Sequence, residues 1–137
     1  MLRTRILHIL ATLVLLVALL HGAALAFFLY WKISWFDILP HFFGGMFASL
    51  LSVWVWYFSG YLGAHPLPKL RTLFVQFLLS AFVIGVGWEV FERVLNLMWS
   101  PEGYWTDSSL DVAFDVLGGV VSFFLVRRMI RTTPSLV

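Results

Sequence analysis

The chain has 137 residues, of which 61% are hydrophobic and 12% charged, with a formal net charge of +2. That is too apolar for an ordinary soluble globule, and no basic stripe lies outside the apolar runs, so membrane lipid rather than nucleic acid is the expected partner. The lack of cysteine excludes disulfides, thiolate metal sites, iron–sulfur clusters and cysteine nucleophiles, which leaves oxygen and imidazole chemistry.

The first apolar run, residues 6–31, has His8 and His21 as its only ionisable groups and is long enough to cross a bilayer with some tilt. Arg3 and Arg5 ahead of it and Ala24-Leu25-Ala26 near its end also fit a cleaved signal peptide, against which the run continues through Phe27, Phe28 and Leu29. A second helix is expected over 36–58, with Pro40 in its first turn, where a missing N–H costs little. Gly60, Gly63, Pro66 and Pro68 then mark a loop. The third helix is expected over 72–99, stopped by Ser100-Pro101-Glu102-Gly103. The fourth is expected over 109–126, with Ser108 or Ser109 as its N-cap and Arg127, Arg128 and Arg131 beyond it.

The expected fold class is therefore all-α: a four-helix transmembrane bundle, with residues 1–137 as a single integral membrane domain. Of the nine lysines and arginines, Arg3, Arg5, Lys69, Arg71, Arg127, Arg128 and Arg131 share one side, and only Lys32 and Arg93 lie on the other. The positive-inside rule then puts both termini in the cytoplasm. Trp31, Trp35, Trp99 and Trp105 fall at the outer interface and Trp54, Trp56 and Tyr57 at the inner one, as aromatic belts do.

This topology sorts the acids. Asp37, Glu89, Glu92, Glu102, Asp107, Asp111 and Asp115 all fall in the outer half. Asp37, Asp107 and Asp111 near helix starts could serve the helix dipole alone. Glu89, Glu92 and Asp115 are too deep for that account. At about 1.5 Å per residue, Glu92 is roughly 10 Å and Glu89 about 15 Å below Trp99, Asp115 about 9 Å below Ser109, and His41 about 8 Å below Phe36. A lone carboxylate at such depth costs on the order of 3 kcal/mol, so these groups should face the bundle interior and either pair or bind a cation.

The spacing supports a shared face: Asp37 and His41 are i, i+4, Glu89 and Glu92 are i, i+3 with Gly85 and Asn96 on the same stripe, and Asp111 and Asp115 are i, i+4. Asp37-x-x-x-His41-x-x-Gly44-Gly45 and Asp111-x-x-x-Asp115-x-x-Gly118-Gly119 share a pattern in which a glycine pair lies one turn deeper than the polar group. Such pairs let helices approach closely, within or between chains. One imidazole and several carboxylates suit a divalent ion, whose identity they do not specify. The expected ligands are His41, Glu89, Glu92, Asp111 and Asp115, with Asp37, Arg93 and Trp88 around them. An ion pair of Arg93 with Glu92 would neutralise the acids without metal.

On Asp37-x-x-x-His41-Phe42, Glu89-x-x-Glu92 and Asp111-x-x-x-Asp115-x-x-Gly118, covering about residues 37–119, the sequence resembles the VanZ-like and YjdF-like families of small bacterial integral membrane proteins. Glu92 and Asp115 stand where the VanZ-like pattern has glutamine and asparagine, so this chain is more acidic, and Trp88-Glu89-x-x-Glu92 looks closer to the YjdF-like form. The resemblance implies a multi-pass protein of a prokaryotic plasma membrane and carries over no agreed reaction.

Three functions follow as expectations. The first is a divalent-cation site near the extracytoplasmic face, used for hydrolysis or transfer on a lipid-linked substrate, with whichever of Glu89 or Glu92 is not a ligand acting as general base. The second is non-catalytic binding of a lipid, a cell-wall precursor or a partner protein, the polar cluster being structural. The third is a proton or cation carrier using the same carboxylates as relays.

Overall fold

The computed structural model describes residues 2–96 and 103–132, and every regular element among them is a helix. They are α1 (Leu2–Phe27), α2 (Leu29–Lys32), α3 (Ile38–Tyr57), α4 (Leu70–Leu95) and α5 (Tyr104–Arg131). Four of them, α1, α3, α4 and α5, are long and apolar enough to cross a membrane. The second span holds its expected place within two residues at each end.

α5 runs on to Arg131 rather than ending at 126, which takes Arg127, Arg128 and Arg131 into the helix, and three further ends differ from the sequence expectation for a local reason. The first apolar run does not continue as one helix to residue 31: Phe28 takes a left-handed conformation, φ 58° and ψ 39°, which closes α1 and starts the single turn of α2. The third span stops at Leu95 rather than near 99, because Asn96 is left-handed (φ 52°) and caps it; asparagine tolerates that region better than most residues. Trp99 and Glu102 lie outside the described residues. The fourth span begins at Tyr104, five residues before the expected start, so Ser108 and Ser109 sit inside the helix instead of capping it. Ser109 Oγ donates back to the Trp105 carbonyl at 2.6 Å, a bond that a serine one turn into a helix can make.

In lipid the solvent is as apolar as leucine, so close packing and polar contacts, rather than burial of greasy surface, hold helices together. α3 and α5 form the central pair, α4 packs on both, and α1 lies against α3 and barely touches α5. Among the described residues α1 makes no close backbone approach to α4. Glycines set the central spacing. A Cβ on Gly45 would run into the backbone of Asp115, and one on Gly118 into the Phe42 carbonyl and the Met46 amide. Gly45 and Gly118 therefore act within the chain, between α3 and α5, and Gly119 packs on α4, where a Cβ would meet Ala81 and the Phe77 carbonyl. Ser122 Oγ adds a bond to the Met46 carbonyl at 3.1 Å, and Ser52 and Ser80 link α3 to α4 at 2.7 Å.

The interior is divided along its length. At the end carrying the arginines, Ile6, Leu50, Val53, Leu73, Phe77 and Val126 form a sealed apolar core. Towards the other end the buried residues become His41, Glu89, Ser108, Asp111 and Asp115.

Candidate functional site

His41 is the hub of the acidic end. It stands on the first turns of α3, whose start brings Asp37 one turn ahead of it, and it is 6% exposed. Its two ring nitrogens face different neighbours. Nδ1 is 3.1 Å from Asp115 Oδ2 on α5, a hydrogen bond in which Nδ1–H donates to the carboxylate. Nε2 faces three other carboxylates: Asp37 Oδ1 at 3.9 Å, Glu89 Oε1 at 3.8 Å and Asp111 Oδ2 at 3.8 Å. Those three oxygens come from α4, from α5 and from the residue that precedes α3, and each is beyond hydrogen-bond distance of the nitrogen.

The approach of the helices makes this possible. Gly85 of α4 lies against Asp115, and a Cβ there would come within 2.5 Å of Asp115 Oδ2. Gly44 of α3 lies 3.9 Å from Asp115 Oδ1 by the same construction. Asp115 is thus held between α3 and α4, with one oxygen aimed at the imidazole. Glu89, Asp111 and Asp115 are 3%, 3% and 5% exposed, so the deep carboxylates do face inward, as their cost in lipid requires.

The ligand-capable atoms of Asp37, His41 and Asp111 lie within 4.8 Å of one another and could hold a metal ion. This grouping differs from the one that depth along the helices suggested. Asp37, expected at the periphery, joins the set around Nε2, whereas Asp115, expected as a ligand, engages the opposite nitrogen. Counting residues along a helix reports depth and says nothing of which edge of a ring a carboxylate meets. Glu92, one turn outward, is half-buried and makes no ion pair with His41 among the described residues.

Arg93 does not neutralise the cluster. Its guanidinium lies 4.0 Å from the centre of the Tyr104 ring, and among the described residues it has no ion pair with a carboxylate. The expected pairing with Glu92 fails because adjacent residues on a helix project about 100° apart, and Tyr104 is on the side that Arg93 faces. Trp88 is 46% exposed, with its ring leaning on Phe91.

Two members escaped the sequence reading. Ser108 is 8% exposed, and its buried hydroxyl lies beside the Glu89 carboxylate of α4 as its polar neighbour. Ser108, Asp111 and Asp115 follow i, i+3, i+7 spacing, a signal hidden by starting the helix at 109. Tyr30, brought back by the break at Phe28, bonds His21 Nδ1 at 2.8 Å and so occupies a histidine that would otherwise be unpaired in the span. Burial pushes the Tyr30 phenol above the ordinary tyrosine range, and the charges of Asp37 and Glu92 add to that. At Asp37, just ahead of the span, burial raises the carboxyl above the usual range, His41 opposes the shift and Asp107 adds to it.

The remaining histidines stay apart from this site: His8 is exposed, and His65 bonds the Leu62 carbonyl at 2.8 Å and stacks on Trp56. No curated protein and no solved structure shows detectable similarity to the chain. The family described as predicted membrane protein DUF2238 matches residues 2–132, and the chain belongs to it.

Proposed function

We propose that this membrane protein binds a divalent cation among Asp37, His41 and Asp111, with Glu89 beside them, at the end expected to face out of the cytoplasm. One observation carries the reading. Three carboxylate oxygens converge on His41 Nε2 at 3.8–3.9 Å, too far to be bonded to it and close enough to repel one another unless a positive charge lies between. Ligands of one ion at about 2.0–2.4 Å stand roughly 3–4 Å apart, which matches this spacing. Asp115 then acts on the metal through His41, holding the Nδ1 proton so that the Nε2 lone pair is available.

An ion held there would supply Lewis-acid activation of water, and Glu89 is the neighbouring group that would take the proton, for hydrolysis or transfer at the polar head of a lipid-linked substrate. The depth of the site within spanning helices supports a lipid-borne substrate over a soluble one. Its motifs also keep the VanZ-like and YjdF-like resemblance as part of the proposal.

Elemental analysis and titration calorimetry of purified protein test it. The wild type should hold about one divalent ion per chain, His41→Ala and Asp111→Asn should lose it, and Asp115→Asn should weaken it roughly 10- to 100-fold, as removing an outer partner of a ligating histidine does. A wild type that takes up no ion overturns the reading. The His41–Asp115 bond favours a second one, in which a protonated His41 ties the carboxylates together and the cluster only braces the bundle. Asp115→Asn would then lower thermal stability, with no ion bound before or after.

A further inference from the structure

At the end of α5 opposite the acidic cluster, Phe124, Arg127, Arg128, Arg131 and Thr132 line a surface cleft. Cations at a helix C-terminus complement its dipole, which accounts for basic residues there in general. It does not account for Arg127, whose Nε is shut away from solvent with no hydrogen-bond partner among the described residues. Nor does it favour Arg127 and Arg131 one turn apart, since like charges at i, i+4 repel.

Among the described residues the chain offers no internal remedy. The six described aspartates and glutamates all belong to the segments that build or border the acidic end, and among the described residues no arginine is ion-paired with any of them. The hydroxyl of Thr132 donates to the Arg128 carbonyl at 3.1 Å and the Met129 carbonyl at 3.2 Å, leaving the guanidinium groups to an outside acceptor. An anion that fits planar guanidinium forks is a phosphate. Phe124, 53% exposed and one turn deeper in the span, lies where the acyl chain of such a phosphate's carrier would run.

We propose that this cleft is a binding site for the phosphate of an anionic phospholipid, with Arg127, Arg128 and Arg131 as its donors and Phe124 against the chain. It is independent of the metal site.

Purified protein in an uncharged detergent would be offered phosphatidylglycerol, phosphatidylcholine, glycerol 3-phosphate or inorganic phosphate, and bound species counted by native mass spectrometry. Wild type should retain phosphatidylglycerol over phosphatidylcholine and over both soluble phosphates. Arg127→Lys keeps the charge and removes the Nε donor; it should cut that retention about five-fold or more, the worth of roughly one charge-assisted hydrogen bond. Arg5→Gln, on the same basic side but outside the cleft, should leave it unchanged. Arg131→Gln serves if Arg127→Lys does not fold. Equal losses in the cleft variant and Arg5→Gln would mean diffuse surface charge and overturn the site. Retention of glycerol 3-phosphate or inorganic phosphate equal to that of the lipid would overturn the lipid as its source.

Discussion

A single atom decides much of this molecule at the residue scale. Where Gly118 stands, one added methyl group would meet the Phe42 carbonyl and the Met46 amide across α3. Backbone cannot rotate out of the way as a side chain can, so Gly118→Ala and Gly45→Ala should each cost about 1–3 kcal/mol, a fall of roughly 3–10 °C in melting temperature. Gly22, with nothing within 4 Å of its would-be Cβ, is the control, and Gly22→Ala should melt as wild type does. Tyr30 gives a pH prediction. Its phenol is held protonated by the fold, so its contribution to stability is complete below the unfolded tyrosine value, about 10, and is lost as pH climbs through the higher folded value. Melting temperature measured from pH 9 to 12 should fall less steeply in Tyr30→Phe than in wild type. An identical slope would mean that the phenol does not feel its surroundings as described.

Elements begin and end where single residues permit. Asn96 closes α4 at φ 52° and ψ 38°, one turn beyond Glu92. Asn96→Gly should preserve melting behaviour, because glycine meets no Cβ penalty there, whereas Asn96→Ala should lose about 1 kcal/mol, read as a melting shift of a few degrees. If alanine were tolerated as well as glycine, the left-handed cap would not matter to the fold. The early start of α5 has a functional side: it carries Ser108 onto the same helical face as Asp111 and Asp115, so one helix supplies three of the buried polar groups.

At the scale of the whole molecule, the buried histidine and carboxylates among the described residues occupy one end only. Beyond Asp115 the buried residues turn to Leu50, Val53, Phe77, Phe123 and Val126, and the hydroxyls of Ser49 and Ser122 bond backbone carbonyls. A relay needs successive exchangeable groups across the span, and this core interrupts it. Proteoliposomes loaded with a pH-sensitive dye should therefore show no flux above protein-free vesicles when a pH gradient is applied. Flux abolished by Asp115→Asn would restore the carrier reading.

Much of this was legible before any coordinates. Four apolar runs, the turn-forming glycines and prolines and the segregation of acids from bases follow from composition along the chain, because a bilayer demands helical spans of a set length and penalises unpaired charge within them. The inward stripe of Glu89 and of Asp111 and Asp115 follows from helical periodicity for the same reason. Tertiary structure alone decided which nitrogen of His41 meets which carboxylate, that Arg93 turns to Tyr104, that Tyr30 returns to His21, and that the arginine cleft leaves one donor without an acceptor. Each depends on the rotation and separation of neighbouring helices, which residues far apart in the chain set together through contacts no local pattern encodes.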